Sequence, residues 1–237
     1  MSDKKQSRSN LVLDNTQQKM TFSILEAYKT VRTNIITILE KKNAKVFAIS
    51  SSNATEGKST TALNIAITFS QLEKKVLIID TDIRRPSLKK KLKMDDNLGL
   101  LDYILNDVPV KDIIRSHNDF LDVITCNALP SKSSEIISNQ KFDELLEEVR
   151  DKYDYIILDT PPINPVSDTL VIAQRTDALF MVVRASVTKY DAFKKAVNAL
   201  KVLGLDVDGV IINGADPRPK NYYKSISSYY KSNNSYY

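Results

Sequence analysis

The hydrophobic residues of this chain fall into short, uninterrupted runs, separated by segments with the spacing of amphipathic helices. The runs are rich in Val and Ile and do not alternate with polar residues, which indicates strands buried on both faces of a parallel sheet. Six strands are predicted, at 46–49, 76–79, 121–124, 155–158, 178–183 and 210–212. Helices are predicted at 21–39, 59–73, 142–151 and 190–203. This alternation predicts an α/β fold, a doubly wound and mostly parallel sheet flanked by helices.

The polar ends of the chain lie outside this pattern and set the predicted boundaries. Residues 1–20 are polar and are predicted to form a mobile arm, whereas 21–217 form one domain that includes the first helix. Residues 218–237 lack a core-forming period, so we expect a disordered, tyrosine-rich tail there. The 237 residues of the chain suffice for one sizeable core.

Small residue counts exclude several mechanisms. The single cysteine, Cys126, cannot form an internal disulfide or a Cys-rich zinc site. The five glycines are too dispersed for a G-x-G-x-x-G loop, and His117 precedes Asn118 rather than Arg-Asp, which excludes the catalytic loop of eukaryotic kinases. No apolar run approaches the ~20 residues of a membrane span, and the N-terminus lacks the apolar stretch of a signal peptide. We therefore expect a cytoplasmic protein.

The net charge of +5 is concentrated at the two ends. Residues 1–45 carry +5 and 218–237 carry +4, which leaves −4 for 46–217. Basic ends beside an acidic body fit an anionic membrane face or an acidic partner about as well as they fit nucleic acid, and they are also typical of solvated tails. Because the body is acidic, we expect the face that carries its site to be acidic as well and to attract the basic tail.

A phosphate-binding loop is predicted directly after the first strand. Gly57, Lys58 and Ser59 match the end of the pattern G-x-x-x-x-G-K-[ST], whereas Ser52 replaces its first glycine. Because a small residue can still make the tight turn, we expect backbone N–H groups to hold nucleotide phosphates. The alternative is a loop that contains Gly-Lys-Ser by chance. The predicted nucleotide-binding residues are Ser52, Asn53, Ala54, Thr55, Glu56, Gly57, Lys58, Ser59 and Thr60, with Asn213 expected at the adenine.

Carboxylates follow two other buried strands. The run 76–79 is followed by Asp80 and Asp82, and the run 155–158 by Asp159. Carboxyl ends of parallel strands share one edge of the sheet, so these groups are expected beside the loop, where carboxylates hold Mg²⁺ through water. One such aspartate could simply cap a turn, but three are harder to explain in that way.

These three segments together resemble the Walker A, Walker A′ and Walker B motifs of bacterial tyrosine kinases. The Walker A′ pattern is Asp80-x-Asp82-x-Arg84, and the Walker B pattern is Asp159-x-Pro161. The resemblance is strongest to the cytoplasmic capsular-polysaccharide type (CpsD/CapB), a MinD-like group of P-loop proteins, and it runs from the helix at Thr21 to the last tyrosines.

The resemblance implies ATP-dependent phosphorylation of tyrosine, with ATP and Mg²⁺ as cofactors. Lys58 and the backbone of 53–59 would hold the β- and γ-phosphates, and Ser59, Asp82 and Asp159 would bind Mg²⁺. Asp80 would lie closest to the incoming tyrosine and accept its proton, with Arg84 or the metal lowering the pKa of the phenol. The division of roles among the three aspartates stays open.

The resemblance also implies partners. Glu26, Lys29 and Arg32 resemble a Glu-x-x-Arg-x-x-Arg subunit-contact motif, with Lys29 at an arginine position, in a ring that is octameric in this family. A membrane-spanning adaptor would recruit the kinase to the inner face of the membrane and activate it through its cytoplasmic tail, in the regulation of capsule or exopolysaccharide synthesis and export. Protein tyrosines are the expected substrates, and nucleic acid is not expected to bind.

Six of the eleven tyrosines lie in the last sixteen residues, as three pairs seven residues apart. The polar spacers argue against a coiled-coil seam, and stacking on single-stranded nucleic acid is a further alternative. Phosphate acceptors explain the pattern better, since each phosphate adds about −1.5 to −2 charge to a tail of +4. The predicted acceptors are Tyr222, Tyr223, Tyr229, Tyr230, Tyr236 and Tyr237.

The rival interpretation is a partitioning or positioning ATPase of the MinD/ParA kind, which shares the predicted fold. The deviant P-loop of that class carries a lysine four residues before its last glycine, and here Asn53 occupies that position. This difference and the tyrosine tail favour the kinase. A non-catalytic scaffold for polysaccharide assembly is the third class considered.

Overall fold

The computed structural model describes residues 22–95, 98–129, 131 and 133–215. The predicted arm 1–20 and tail 218–237, with its six candidate tyrosines, lie outside the described residues. Within the described residues, no helix is long and apolar enough to span a membrane.

A seven-stranded sheet forms the centre of the described part of the chain, in the order β3-β4-β2-β5-β1-β6-β7. All neighbouring strands are parallel except β3 and β4. This arrangement confirms the predicted doubly wound α/β class. The strands are β1 (Val46–Ser51), β2 (Val76–Asp80), β3 (Ile114–Asn118), β4 (Leu121–Ile124), β5 (Tyr155–Asp159), β6 (Ala178–Arg184) and β7 (Gly209–Asn213).

The helices cover both faces of the sheet. The four predicted helices are present with slightly different ends, and five short helices were not predicted. In the described residues the helices are α1 (Phe22–Lys42), α2 (Lys58–Ser70), α3 (Leu88–Leu92), α4 (Leu100–Asn106), α5 (Val110–Ile113), α6 (Ser133–Ile137), α7 (Gln140–Arg150), α8 (Asp168–Ala173) and α9 (Tyr190–Val202).

The central strands are buried on both faces, as their uninterrupted apolar sequences predict. Every residue of β1, β2 and β5 is buried. One core cluster packs α4, α7 and α9 on one face, and a second packs α1 and α2 on the other. In the second cluster, Phe47 contacts Phe69 and, edge to face, Phe180. Burial of these aromatic rings supplies much of the hydrophobic stabilisation on that face.

The order of strands brings the three predicted motifs to one edge. β5 lies between β1 and β2, and Asp159 is paired in register with Asp80 on one side and with Ile49 on the other. The loop after β1 leads into α2. The carboxyl ends of these three neighbouring strands therefore carry the P-loop, the Walker A′ aspartates and the Walker B aspartate side by side.

Candidate active site

The P-loop begins α2 with a backbone conformation that requires glycine. Gly57 has φ +99° at the N-cap of the helix, in the left-handed region. A Cβ atom at this position would lie 2.1 Å from Nδ2 of Asn213. The loop at Gly57 thus packs closely against Asn213 at the end of β7. The N-terminus of α2 faces the predicted phosphate site.

The Glu56 side chain braces this loop from within. Its Oε2 accepts hydrogen bonds from the backbone N–H of Ser52 (2.9 Å) and of Asn53 (3.2 Å), and the residue is only 2% exposed. The carboxylate therefore ties the end of the loop to its beginning, where Ser52 replaces glycine. Because the N–H of Asn53 already donates to Glu56, the backbone N–H groups that follow it in the loop are the candidates for binding phosphates.

Lys58 lies among the predicted carboxylates. Its Nζ is 2.8 Å from Oδ2 of Asp82, 3.1 Å from Oγ of Ser59 and 3.7 Å from Oδ1 of Asp159. Burial lowers the pKa of Lys58, but the charges of Asp159 and Asp82 outweigh it, and the pKa is raised overall. Lys58 therefore stays positively charged. The structure brings its ammonium group together with the predicted side chains of Ser59, Asp82 and Asp159.

Asp159 is the least satisfied polar group of the site. It is fully buried, and among the described residues neither carboxylate oxygen has a hydrogen-bond partner. Burial raises the pKa of Asp159, while the nearby charge of Lys58 opposes that rise. Buried polar atoms of this kind require a partner, such as water or an ion.

The residues present fit a Mg²⁺ site. The carboxylate of Asp159, which has an ion pair with Lys58 but no hydrogen bond, the carboxylate of Asp82 and the hydroxyl of Ser59 are hard oxygen ligands. The described residues contain no group of three His, Cys, Asp or Glu side chains that could hold a metal ion by themselves. This is compatible with Mg²⁺, which is usually held by one or two carboxylates together with water and substrate phosphates.

Asp80 supports the turn after β2 and lies apart from a cavity of about 670 Å³ that Lys58 and Asp82 line. One oxygen accepts from the backbone N–H of Ser87 (2.8 Å) and Leu88 (2.9 Å), and the other from that of Asp82 (3.2 Å). Burial, followed by the charge of Asp159, raises the pKa of Asp80 to about 7. Its carboxylate is fully buried. Its role as acceptor of the tyrosine proton stays a prediction, and Asp82 is the Walker A′ carboxylate that lines the cavity.

Arg84 is paired with an aspartate that sequence reasoning missed. Its Nε and Nη2 donate to the two oxygens of Asp168 at 2.8 and 3.1 Å, and the Ser134 hydroxyl also donates to that carboxylate. Burial would raise the pKa of Asp168, but the hydrogen bonds from Arg84 and Ser134 outweigh it and lower the pKa. The charge of Arg84 is thus largely balanced by Asp168, which weakens the expectation that Arg84 activates a phenol.

Lys58, Ser59, Asp82 and Arg84 line the cavity of about 670 Å³, which we call the nucleotide cavity. Asp80 and Asp159 are fully buried and do not line it. Arg184 and Lys91 also line it and were not predicted: Arg184 donates to the carbonyl of Thr55 (3.1 Å) and Lys91 to the hydroxyl of Thr60 (2.8 Å). The described lining contains one acidic residue, Asp82, and five basic ones. The expectation of an acidic catalytic face is therefore wrong, because the total charge of the body conceals this local excess of cations. The basic residues are Lys58, Arg84, Arg85, Lys91 and Arg184.

Asn213 reaches the P-loop from the end of β7. Its Nδ2 donates to the backbone carbonyl of Glu56 at 3.0 Å and lies over Gly57. This contact places Asn213 at the P-loop. Its contact with adenine stays a prediction.

The predicted subunit-contact residues separate into two groups on α1. Lys29 forms an ion pair with Glu26 at 2.8 Å, and both side chains are about 40% exposed. Arg32 instead turns inward and donates to the backbone carbonyl of Thr68 in α2 at 2.7 Å. The sequence spacing of the three residues gave no sign of this difference.

Comparisons with known proteins agree with the site. A family model described as an AAA domain matches residues 44–203, which is most of the chain. The tyrosine-protein kinase YwqD of Bacillus subtilis is 34% identical over 190 residues, which cover 80% of each protein. The kinase domain of the Escherichia coli tyrosine kinase ETK superposes with a TM-score of 0.76 at 27% identity, covering 84% of this chain and 78% of the other. The chimerical protein CapA2B2 has a TM-score of 0.75 at 30% identity, covering 87% and 90%.

The rival class shares the fold with lower similarity. The septum site-determining protein MinD from Pyrococcus horikoshii, solved with Mg-ADP, has a TM-score of 0.62 at 20% identity. A likeness at that level concerns the architecture alone. Motifs, relatives and architecture together show that this chain belongs to the bacterial protein-tyrosine kinases of the CpsD/CapB type.

Proposed function

We propose that this kinase transfers phosphate from ATP to the tyrosines of its own C-terminal tail, in trans between subunits, and thereby regulates capsule or exopolysaccharide synthesis and export. The observation that carries the proposal is that Lys58 of the P-loop shares one cavity with Asp82 of Walker A′, 2.8 Å away. Six tyrosines in the last sixteen residues provide acceptors on the same chain.

The residues of the cavity and the buried Asp159 divide the work of phosphoryl transfer. Ser59, Asp82 and Asp159 would hold Mg²⁺, which when bound supplies positive charge to the phosphates. Lys58 exchanges its present carboxylate partners for phosphate oxygens, and the N–H groups that follow Asn53 orient those oxygens. Arg184 and Lys91 add positive charge at the rim. Catalysis of this kind depends mainly on positioning and on electrostatic stabilisation of the transferred group.

Assembly and recruitment complete the proposal. Glu26, Lys29 and Arg32 contact a neighbouring subunit in a ring, which brings the tail of one copy to the cavity of another. A membrane-spanning adaptor recruits the ring to the inner face of the membrane and activates it with its cytoplasmic segment. The family membership and the solved chimerical protein CapA2B2 support this part by analogy.

The test is phosphotyrosine formation by purified protein. The full chain is incubated with ATP and Mg²⁺, with and without the cytoplasmic segment of the adaptor, and tail peptides are analysed by mass spectrometry. We expect phosphate on several of the six tail tyrosines. Hydrolysis of ATP without phosphotyrosine would instead indicate an ATPase of the MinD/ParA kind.

The first substitution to test is Lys58→Met. It should reduce phosphotyrosine to background, because Lys58 is the one lysine within the P-loop, while circular dichroism and the unfolding midpoint stay near those of the unmodified protein. Lys194→Met, at an exposed position on α9, is the matched control and should retain full activity. Undiminished phosphotyrosine in folded Lys58→Met protein would reject the site assignment.

A further inference from the structure

The chain immediately after β2 carries an unusual concentration of positive charge. Residues 84–94 contain six Lys or Arg and no acidic residue, although the whole body 46–217 has a net charge of −4. This basic segment comprises the turn that Asp80 supports and the short helix α3. Its charge therefore lies beside the nucleotide cavity, at a defined place on the surface.

The basic segment separates two cavities. Arg84, Arg85 and Lys91 line the nucleotide cavity. Lys89, Lys90 and Lys93 line a second cavity of about 580 Å³, which we call the lysine cavity. Lys90 and Lys93 are exposed and Lys89 is half-buried. The five-residue helix α3 thus presents cations to both cavities. The two cavities are therefore adjacent, and a product released from the first lies near the second.

The lining of the lysine cavity combines positive charge with an apolar wall. Besides the three lysines, its described lining contains Pro86, Met94 and Ala128 as apolar contacts and Asp95 as its only acid. Lysine ammonium groups form charge-assisted hydrogen bonds with phosphate oxygens. Apolar side chains, and the thioether of methionine in particular, pack favourably on aromatic rings. A ligand that carries both an aromatic ring and a phosphate matches this lining.

We propose that the lysine cavity is a binding site for phosphotyrosine, and that its occupant is the phosphorylated C-terminal tail of this protein. The tail contains four Lys or Arg and no acid, so before phosphorylation the six cations of the basic segment repel it. Each phosphate adds about −1.5 to −2 charge, and three phosphates therefore make the tail negative. Affinity for the lysine cavity rises with each phosphorylation.

The consequence is retention of the product beside the site that formed it. The identity of the occupant rests on the proposed function, which supplies the phosphates. A phosphorylated tail held in the lysine cavity keeps the remaining tyrosine pairs near the nucleotide cavity, so later phosphates are added faster than the first. Other anions fit less well: the described lining has no aromatic residue on which the bases of single-stranded nucleic acid would stack.

The test measures binding, so that it stands whether or not the chain phosphorylates itself. Synthetic peptides of residues 218–237, labelled with a fluorophore, carry no phosphate, three phosphotyrosines, or three phosphoserines at the same positions. Fluorescence anisotropy is recorded with the full chain and an excess of Mg²⁺ and a non-hydrolysable ATP analogue, which keeps the phosphates of the peptides off the P-loop. We expect the phosphotyrosine peptide to bind at least roughly tenfold more tightly than the unphosphorylated one, as three weak ion pairs imply. It should also bind more tightly than the phosphoserine peptide.

Two triple variants of equal charge locate the site. Lys89→Gln, Lys90→Gln, Lys93→Gln should reduce phosphotyrosine-peptide affinity roughly tenfold, by loss of the same three ion pairs. The control, on exposed positions of α9, is Lys194→Gln, Lys195→Gln, Lys201→Gln, which should leave it unchanged. Equal losses in both variants, or equal affinity for phosphorylated and unphosphorylated peptides, would overturn the proposal. Binding of anionic vesicles that depends on Lys89, Lys90 and Lys93, without phosphopeptide binding, would overturn it in favour of a membrane contact.

Discussion

At the scale of single residues, the buried carboxylate of Glu56 decides how the P-loop keeps its shape. An anion inside an anion-binding loop is unfavourable for phosphates unless it is fully engaged by hydrogen bonds. Here it is engaged by two backbone N–H groups, those of Ser52 and Asn53. The side chain thus ties the end of the loop to its beginning, at the position where Ser52 replaces the first glycine.

Removal of this tie should be costly. Glu56→Ala leaves two backbone N–H groups without their acceptor, and we expect a loss of about 1–3 kcal/mol in the free energy of unfolding. Glu56→Gln keeps one acceptor oxygen and should lose less. Urea unfolding measures the stability, and titration with a fluorescent ADP analogue measures whether nucleotide affinity falls with it. Glu147→Ala, at an exposed position of α7, is the control. Unchanged stability of Glu56→Ala would show that the loop does not depend on this brace.

Sequence reasoning found the residues of the site that belong to local motifs and missed those that do not. Lys58, Asp82 and Asp159 follow buried strands in recognisable patterns, and in the structure Nζ of Lys58 lies 2.8 Å from Asp82 and 3.7 Å from Asp159. Asp168 begins a short helix, and Arg184 ends a strand more than a hundred residues from the P-loop. Such residues enter the site through tertiary packing, which leaves no spacing in the sequence.

At the scale of elements, long apolar runs could be predicted and polar edges could not. The buried strands were found because no polar residue interrupts them. β3 was missed because its sequence, Ile-Arg-Ser-His-Asn, is largely polar and lies at the antiparallel edge of the sheet, where solvent is tolerated. α7 begins two residues earlier than predicted, because the Asn139 side chain caps it by accepting from the N–H of Lys141.

One aspartate joins three of these elements. Asp177, directly before β6, accepts hydrogen bonds from the backbone N–H of Lys45 and Val46 at the start of β1, each at 2.8 Å. Arg150, at the end of α7, donates to both of its oxygens. Burial alone would raise the pKa of Asp177, but these donors outweigh it and lower the pKa. The ionised carboxylate therefore stabilises the folded state.

This arrangement predicts an acid-dependent loss of stability. A carboxyl whose folded pKa is depressed stabilises the protein above its unfolded pKa of about 3.9, and that contribution is lost as pH falls through the folded value. Asp177→Asn should therefore lower the free energy of unfolding by about 1–3 kcal/mol at pH 7, and the gap to the unmodified protein should close below about pH 4. Urea unfolding across this range measures the gap. Asp206→Asn, which is exposed, should show no gap, and a gap for Asp177→Asn that persists unchanged at low pH would contradict the assignment.

At the scale of the whole molecule, local charge matters more than total charge. The acidic body bears a basic segment at 84–94 and a cavity lined by five cations and one acid. Salt screens surface charges beyond about 8 Å, so a tail near the cavity responds to these cations rather than to distant carboxylates. Attraction between the unphosphorylated tail and this cavity therefore depends on bound nucleotide, whose phosphates add negative charge to that of Asp82.

The first helix has two separable roles in the proposed assembly. Arg32 holds α1 on α2 through the carbonyl of Thr68, within one subunit. Glu26 and Lys29 pair with each other on the more exposed side of the helix, where surface ion pairs are worth little to stability. If these two residues form the subunit contact, assembly and folding should respond to different substitutions on the same helix.

The double variant Glu26→Ala, Lys29→Ala should therefore lower the oligomer mass measured by light scattering, while its free energy of unfolding stays within about 0.5 kcal/mol of the unmodified value. Arg32→Ala should lower that free energy by about 1–2 kcal/mol, since it leaves the Thr68 carbonyl without its charged donor. Lys29→Arg is the complementary substitution. The planar guanidinium group can form two parallel hydrogen bonds with a carboxylate, whereas lysine offers a point charge. We expect Lys29→Arg to shift the mass toward the larger species at a given protein concentration. An oligomer that is unaffected by the double variant but is lost in Arg32→Ala would place the contact on Arg32, and would make α1 packing the condition for assembly.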